Sequence, residues 1–231
     1  MTDNLLEEGL VKLGLGGAAM HNAANLLTRY IEEIELFNPA YGLVKVQDRR
    51  ELIVKHILDS LAPLSILRNL PGKTRIADVG SGAGLPGIPL AICMPDAEFT
   101  LIERMGRRTG FLRNALAILG LPNTLVEETE MEKIVPAGCF DLVVFRAFRP
   151  LEPAIFKGLL RLLAAGGALA AYKGRREALE EEMAGLLSAL DKGAFSSIAG
   201  REALPWEVFP LDVPFLEEER HLVLIRPEIR G

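Results

Sequence analysis

The feature that most constrains the fold of this chain is a glycine-rich segment at residues 78–87. Its sequence is Asp-Val-Gly-Ser-Gly-Ala-Gly-Leu-Pro-Gly, and it joins the apolar run at 75–79 to a helical pattern that begins at Pro86. Glycines let a backbone turn sharply and approach a ligand that a Cβ atom would block. Proline suits the first turn of a helix, where its missing N–H is not needed. The segment therefore predicts a strand that ends in a ligand-binding turn and continues into a helix.

Short apolar runs alternate with helical patterns through the rest of the chain. The runs lie at 99–102, 124–126, 140–145 and 168–172, and the helical patterns lie at 106–119, 151–163 and 177–190. Strands that alternate with helices predict a parallel sheet with helices on both faces. The last two runs, 207–211 and 221–225, have no helix between them and predict an antiparallel hairpin. Together with 75–79, these runs predict an α/β domain over residues 71–231 with a mostly parallel seven-stranded sheet.

Residues 1–70 predict a helical extension that packs on this domain. Apolar residues at helical spacing predict a helix over 20–37, with Pro39 as its stop. A second helix is predicted to begin after Asp48, an N-cap residue whose partner in a capping box is Glu51.

The composition excludes several classes of protein. With 26 Lys and Arg against 31 Asp and Glu, the net charge is −5, which argues against a protein that coats nucleic acid broadly. The beginning of the chain is acidic and lacks the basic region of a signal peptide. No uncharged stretch is long enough to span a bilayer. We therefore expect a cytoplasmic protein without a membrane partner.

Few residues suggest nucleophilic or metal chemistry. The two cysteines, Cys93 and Cys139, cannot make a disulfide framework or a zinc site. His56 and Asp59 share a face of the second predicted helix, but no Ser or Cys nucleophile motif accompanies them. That pattern favours a packed, hydrogen-bonded histidine, and no metal site is expected.

The spacing of the glycines discriminates between cofactors. A dinucleotide-binding fingerprint, G-x-G-x-x-G, requires a glycine where this chain has Leu85. The observed G-x-G-x-G spacing of Gly80, Gly82 and Gly84 instead suits the adenosyl and amino-acid parts of S-adenosylmethionine, which has no pyrophosphate. A P-loop is excluded because no Gly-Lys-Ser/Thr follows. The alternative is that the segment is only a tight turn.

Acidic residues follow the next two predicted strands. Glu103 lies about twenty residues beyond the glycine segment, where an acid in a doubly wound sheet accepts hydrogen bonds from ribose hydroxyls. After the strand at 124–126, Met131 could pack on an adenine ring and Glu132 could bind the adenine amino group. The alternative is that Glu103 is a surface residue and that 127–132 is an exposed acidic loop.

Basic residues cluster in three islands despite the negative total. Each island follows the carboxyl end of a predicted strand, the edge at which open parallel sheets bind ligands. The islands are Arg104, Arg107, Arg108 and Arg113; Arg146 and Arg149; and Lys173, Arg175 and Arg176. Three islands at one edge suggest an anionic substrate such as a phosphate backbone, whereas a single island is usually a solvated helix face. Phe145 and Phe148 could stack a base, although Phe145 also fits a core position.

The chain resembles the bacterial methyltransferases of the GidB/RsmG type from about Leu26 to Arg226. The most specific of the shared features are His-Ile-Leu-Asp-Ser at 56–60 and the Gly-Leu-Pro-Gly-Ile-Pro ending of the glycine segment. Other shared stretches are 38–43, 78–83, 106–108, 111–113, 146–148, 173–174 and 219–223. The resemblance implies a Rossmann-like class I S-adenosylmethionine-dependent fold. It also implies methyl transfer to N7 of a guanine in 16S ribosomal RNA, either free or in the 30S particle. We expect the protein to act as a monomer.

The resemblance also assigns roles to residues. It implies that Arg146 acts in catalysis by fixing the cofactor and the target base. The implied cofactor contacts are Gly80, Leu85, Glu103, Met131, Glu132 and Arg146, to which the glycine spacing adds Gly82 and Gly84. The basic islands supply the expected RNA contacts, which are Arg104, Arg107, Arg108, Arg113, Arg149, Lys173 and Arg175. Three residues depart from the family pattern: Gly42 replaces a common Asn, Arg104 replaces a small polar residue, and Glu130 replaces a common Arg.

Guanine N7 carries a lone pair and no proton, so its attack on a sulfonium methyl group needs no general base. Catalysis is then expected to come from in-line positioning of the two reactants. Three alternatives remain at this stage. They are a methyltransferase of the same fold that acts on a small molecule or a protein, a nicotinamide-dependent dehydrogenase, and an RNA-binding module without activity.

Overall fold

The computed structural model describes residues 2–72, 74–146, 150–192 and 204–228. Seven strands form one sheet in the order β3-β2-β1-β4-β5-β7-β6. They are β1 (Arg75–Val79), β2 (Glu98–Glu103), β3 (Thr124–Glu128), β4 (Phe140–Arg146), β5 (Leu163–Lys173), β6 (Trp206–Leu211) and β7 (Arg220–Ile225). Strands β1 to β5 are parallel, and β7 is antiparallel to both β5 and β6. The predicted mostly parallel sheet with a C-terminal hairpin is confirmed.

The helices of the α/β domain lie close to their predicted positions. They are α6 (Gly87–Cys93), α7 (Gly106–Leu119), α8 (Pro153–Leu162) and α9 (Arg176–Asp191). Strand β5 begins five residues before the predicted run at 168–172, because a register shift against β4 lets Leu163 pair with Phe140 and Ala168 pair with Leu142. Glycines and alanines in between carry too little hydrophobic signal to extend the run.

The N-terminal region consists of helices joined by short loops, and its helical character agrees with the prediction. It contains α1 (Thr2–Lys12), α2 (Gly17–Tyr41), α3 (Arg49–Leu52), a π-helical segment (Ile53–Leu58), α4 (Asp59–Leu61) and α5 (Leu64–Arg68). The N-cap at Asp48 is confirmed, since its carboxylate accepts the N–H of Glu51 at 2.7 Å. The Glu51 carboxylate in return accepts the N–H of Gln47 at 2.7 Å, one residue before the N-cap. The helix that begins here widens to π geometry, a feature often found at functional sites.

The prediction that Pro39 stops α2 is wrong. The helix continues to Tyr41 and ends at Gly42, which has φ +59° and donates its N–H to the Asn38 carbonyl at 2.8 Å. The Asn38 side chain also accepts the N–H of Val44 at 2.9 Å. A residue that ends a helix in the left-handed conformation is usually glycine and sometimes asparagine. The position of Gly42 is therefore compatible with the Asn that is common in the family.

The two faces of the sheet bury two apolar clusters. Along β4, Leu142 and Val144 belong to the cluster that contains the N-terminal helices with α6 and α7, whereas Val143 and Phe145 belong to the cluster under α8 and α9. The N-terminal helices also contact the glycine segment, because the buried Tyr30 hydroxyl donates to the Ala83 carbonyl. The division at residue 70 into an extension and a methyltransferase domain stays a prediction.

Two kinds of feature are absent from the described residues. None of their helices is long and apolar enough to cross a membrane. None of their His, Cys, Asp and Glu side chains form a group of three or more that could hold a metal ion.

Candidate active site

The glycine segment adopts a conformation that only glycine accommodates well. Gly80, Gly82 and Gly84 have φ values of +72°, +58° and +91°. At Gly84 a Cβ atom would also lie 2.5 Å from Ile88 Cδ1 and 3.0 Å from Leu112 Cδ2. The segment therefore needs glycine at this position both for its backbone conformation and for its packing against α6 and α7.

A buried carboxylate fixes the far end of this segment. Asp78 accepts the N–H of Gly87 at 2.9 Å through Oδ2, and its backbone carbonyl accepts the Ser81 hydroxyl at 2.8 Å. Burial, opposed by the hydrogen bond from Gly87, raises the pKa of the Asp78 carboxyl to about 7. Its second oxygen, Oδ1, has no partner among the described residues.

Substitution of Gly84 by alanine is expected to lower the free energy of unfolding by about 2–4 kcal/mol, from backbone strain and from overlap with Ile88. Urea unfolding measures the change. The matched control is Gly110→Ala, because Gly110 lies in α7 and no neighbouring side chain comes within 4 Å of the position that a Cβ atom would take there. That control is expected to be stabilised by up to about 1 kcal/mol. Equal stability of the Gly84→Ala variant and the unsubstituted protein would contradict the packing argument.

The end of β2 places the Glu103 carboxylate against the glycine segment. Its Oε1 accepts the N–H groups of Arg104 and Met105 at 2.9 Å each, and its Oε2 accepts the N–H of Gly82 at 3.0 Å. A carboxylate has about four lone-pair sites, so one site on Oε2 is left for a ligand. Arg108 Nη1 lies 3.7 Å from the same oxygen. The side chain is buried and is held in place before any ligand binds.

A cleft of about 400 Å³ lies beside Glu103. Its walls come from the ends of β1 and β2 and from the segment after β3. The lining includes Gly80, Glu103, Arg104, Glu130, Met131 and Glu132. Four of the eight predicted cofactor contacts, Gly80, Glu103, Met131 and Glu132, therefore line one cleft. Of the other four, Leu85 is buried in the core, Gly82 and Gly84 belong to the glycine segment but not to the lining, and Arg146 borders a different cavity.

Met131 and Glu132 are held by groups that the sequence did not reveal. Met131 is buried against α8, where a Cβ atom on Gly158 would lie 2.6 Å from Met131 Cε. Arg161, in the last turn of α8, donates to the backbone carbonyls of Glu132 and Ile134 at 2.7 Å each. Nothing in the sequence around Arg161 distinguishes it from a solvated cation, because its acceptors are backbone atoms about 30 residues away.

Arg146 lies at the end of β4, next to β1, and borders a second cavity of about 920 Å³. Its Nη1 donates to the Asp59 carboxylate at 2.8 Å and to the Lys55 carbonyl at 3.1 Å, and its Nη2 lies 3.1 Å from His56 Nδ1. The Arg146 side chain is 14% exposed and that of Asp59 is 6% exposed. Sequence reasoning predicted a packed histidine here but missed its contact with Arg146.

His56 is neutral at ordinary pH. Burial and the nearby positive charge of Arg146 lower its pKa to about 4. A neutral imidazole can accept a hydrogen bond on Nδ1, so the contact with Arg146 Nη2 is a hydrogen bond donated by the arginine.

The predicted RNA-binding cations fall into two groups. Three are paired with acids: Lys173, only 17% exposed, with Glu182 at 2.7 Å, Arg113 with Glu128 at 2.8 Å, and Arg108 with Glu103 at 3.7 Å. Arg104, Arg107 and Arg175 are exposed, and the described residues give none of these three an ion pair. Arg149 and Phe148 lie outside the described residues, and Phe145 is buried in the core.

Glu182 is a half-buried acid of α9 that lies at the end of β5. It accepts the backbone N–H of Leu151 and the ammonium group of Lys173. The apolar residues Leu179, Met183 and Leu186 of α9 belong to the cluster on this face of the sheet, and this packing places Glu182 next to Lys173.

Comparison with known proteins shows the family. The family model described as rRNA small subunit methyltransferase G matches residues 23–200. The chain belongs to this family. It is 37% identical to ribosomal RNA small subunit methyltransferase G of Treponema denticola, over 97% of this chain and 94% of that protein. It is 41% identical to the protein of the same name from Treponema pallidum strain Nichols, over 96% of this chain and 92% of that protein.

Solved structures agree with this fold. A putative O-methyltransferase from Klebsiella pneumoniae superposes with a TM-score of 0.60 at 17% identity, over 97% of this chain and 95% of that one. The plantazolicin methyltransferase BpumL in complex with SAH superposes with a TM-score of 0.57 at 14% identity, over 91% of this chain and 100% of that one. The fold is that of the class I methyltransferases, and the family member described here is an S-adenosylmethionine-dependent rRNA methyltransferase.

The cleft fits this cofactor on three structural grounds. Gly80 has a positive φ and lines the cleft with its backbone, and Glu103 retains one lone-pair site at the end of β2. Apolar atoms of Val79 and Ile102 lie in the same wall and suit a purine or ribose face.

Proposed function

We propose that the enzyme transfers the methyl group of S-adenosylmethionine to N7 of a guanine in small-subunit ribosomal RNA. The observation that carries the proposal is the setting of Arg146 at the border of the larger cavity. A guanidinium group has five N–H donors, and the protein uses three of those on Arg146. The donors on Nε and one on Nη2 have no acceptor among the described residues, so they are available to a cofactor carboxylate, to guanine O6 or to a phosphate.

Three of the acidic and phenolic groups that line the larger cavity are already engaged, which supports an acceptor that needs no deprotonation. Asp59 is bonded to arginine, Glu182 to Lys173, and the buried Tyr172 hydroxyl donates to the Ser60 carbonyl at 2.8 Å. Burial raises the pKa of that tyrosine well above its usual value. None of these three described groups is free to act as a general base. A hydroxyl or ammonium acceptor in a small molecule or protein would need one, whereas guanine N7 does not.

Each part of the cofactor has a proposed contact. Glu103 would accept a ribose hydroxyl, Met131 and Glu132 would hold the adenine, and Gly80 would allow the backbone to approach. When bound, the cofactor supplies an electrophilic sulfonium methyl group. Arg146 contributes by orientation, and orientation of two reactants can supply about 7–11 kcal/mol in favourable systems.

The target guanine must be accessible at N7. The deep groove of duplex RNA hides this atom, so the target is proposed to lie in a loop or to be splayed out. Arg104, Arg107 and Arg175 are the exposed cations proposed to contact the RNA backbone. That the enzyme acts as a monomer, in the cytoplasm and without a metal ion stays a prediction.

The test is transfer of a labelled methyl group to naked ribosomal RNA and to small subunits, both from cells that lack the enzyme. Borohydride reduction followed by aniline cleavage maps N7-methylguanine. Strong cleavage at a single guanine supports the proposal. Comparison of the two substrates shows whether naked RNA or the small subunit is methylated. Label in another base, or in a protein or small-molecule fraction, would favour the alternative methyltransferase of the same fold.

Removal of exposed cations is expected to change the salt dependence of RNA binding. If Arg104 and Arg107 each neutralise a phosphate, their double replacement by alanine should make the slope of log affinity against log salt less steep by about 1.4 for single-stranded RNA. Filter binding at several salt concentrations measures the slope. The matched control is Arg113→Ala, whose ion pair with Glu128 predicts a smaller change. Equal slopes for the double variant and the unsubstituted enzyme would remove the phosphate assignment.

A further inference from the structure

One helical segment supplies all three hydrogen-bond partners of Arg146. The acceptors are the Lys55 carbonyl, His56 Nδ1 and Asp59 Oδ2. Lys55 and His56 belong to the π-helical segment Ile53–Leu58, and Asp59 follows it directly. The guanidinium is therefore fixed by a single rigid element of the N-terminal region, about 90 residues earlier in the chain.

The Asp59 carboxylate is shared between two arginines. Its Oδ2 accepts from Arg146 at 2.8 Å and its Oδ1 accepts from Arg220 Nε at 3.0 Å. Arg220 is itself fixed by the Glu218 carboxylate at 2.9 Å and by the Glu219 carbonyl at 2.9 Å. Because Arg220 bonds to the other oxygen, Asp59 is oriented independently of Arg146. A buried carboxylate held in this way directs a charge-assisted hydrogen bond to one place.

His56 limits the guanidinium from a second direction. A protonated imidazole would repel Arg146, but burial and the arginine keep the pKa of His56 at about 4. With Asp59 and the Lys55 carbonyl on Nη1 and His56 on Nη2, the plane of the guanidinium is fixed by both terminal nitrogens.

We propose that Asp59, assisted by His56, is a positioning residue for Arg146. It holds the guanidinium so that the remaining N–H groups on Nε and Nη2 are available to the reactants in one orientation. The inference rests on the proposed role of Arg146 in methyl transfer, and it adds a function for the His-Ile-Leu-Asp segment that packing alone does not explain.

The test is a double-mutant cycle on the single-turnover rate at saturating cofactor and RNA. Asp59→Asn is expected to lower this rate at least tenfold while the KM for RNA changes less than threefold. In an Arg146→Ala background the same substitution is expected to change the rate less than twofold, because Asp59 acts only through the arginine. Additive losses in the two backgrounds, or a full rate in Asp59→Asn, would overturn the inference.

A purely structural role for Asp59 is tested with Arg220→Met. This variant removes the second ion pair of Asp59, so it loosens β7 from the helix but leaves the Arg146 contact. We expect a lower melting temperature and a loss of single-turnover rate smaller than that of Asp59→Asn, because Arg146 keeps its bond to Asp59 although Asp59 itself is held less firmly. If Arg220→Met loses as much rate as Asp59→Asn, the effect of Asp59 comes from linking the helix to β7, and the inference fails.

His56→Leu is the basis of a second double-mutant cycle with Arg146→Ala. This cycle tests the inference if the Asp59→Asn variant does not fold. It removes one acceptor of Arg146 and should lower the rate at least threefold, with no further loss in the Arg146→Ala background. His56→Gln keeps an acceptor and is expected to recover part of the rate. Failure of this inference can be distinguished from failure of the proposed function. If the proposed role of Arg146 were wrong, the Arg146→Ala variant would keep the single-turnover rate of the unsubstituted enzyme.

Discussion

Replacement of Arg146 by alanine is expected to lower the single-turnover rate of methyl transfer at least a hundredfold. A hundredfold loss corresponds to about 2.7 kcal/mol of lost transition-state stabilisation, well within what orientation can contribute. The variant should stay folded, because Asp59 keeps its bond to Arg220. Transfer of labelled methyl groups to the RNA substrate measures the rate, and the melting temperature checks the fold.

Two further variants make this result specific. Arg146→Lys keeps the charge but loses the planar set of donors, so it is expected to recover less than a tenth of the rate. Arg75→Ala is the matched control, since Arg75 lies at the opposite end of β1 and is paired with Asp141 at 2.8 Å. It should keep its rate within twofold. A folded Arg146→Ala variant with full activity would remove Arg146 from the mechanism and leave the family assignment intact.

The sheet edge that carries the site was predictable because it depends on local signals. The glycine spacing from Gly80 to Gly84 requires positive φ values, and the structure shows them. Each predicted basic island follows a strand, and parallel strands bring their carboxyl ends to one edge. Arg104, Arg146 and Lys173 therefore lie at or just beyond the ends of β2, β4 and β5 as expected.

The pairing of charges at that edge was not predictable. Lys173 and Glu182 meet because α9 packs on the sheet, and Arg113 and Glu128 meet because α7 lies beside β3. Such contacts depend on the packing of whole elements and leave no periodic signal. For the same reason His56 could be recognised as packed but not as a partner of Arg146.

The net charge of −5 does not describe the surface that is proposed to meet RNA. Several cations of the predicted islands are neutralised by acids, whereas Arg104, Arg107 and Arg175 are exposed. A few exposed cations that follow the ends of β2 and β5 suit contact at a single site. The acidic total elsewhere disfavours broad binding to other RNA, because like charges repel the phosphate backbone.

Replacement of Glu103 by alanine is expected to weaken cofactor binding about 10- to 100-fold, because a hydrogen bond to a charged group contributes about 1.5–3 kcal/mol. The lone-pair site left on Oε2 is the proposed acceptor for a ribose hydroxyl. Loss of the carboxylate also releases the N–H groups of Gly82, Arg104 and Met105, which loosens the wall of the cleft. Titration calorimetry with S-adenosylmethionine measures the dissociation constant.

The control for Glu103→Ala must remove the same charge from the same cleft without releasing backbone N–H groups. Glu130→Ala does so, because Glu130 lines the cleft and its carboxylate is paired with Lys133 at 3.2 Å. We expect this variant to change the dissociation constant less than threefold. Equal weakening of cofactor binding in both variants would mean that the affinity depends only on the total charge of the cleft. Unchanged binding in a folded Glu103→Ala variant would place the ribose elsewhere, and the cleft beside β2 would then lose its assignment as the adenosine site.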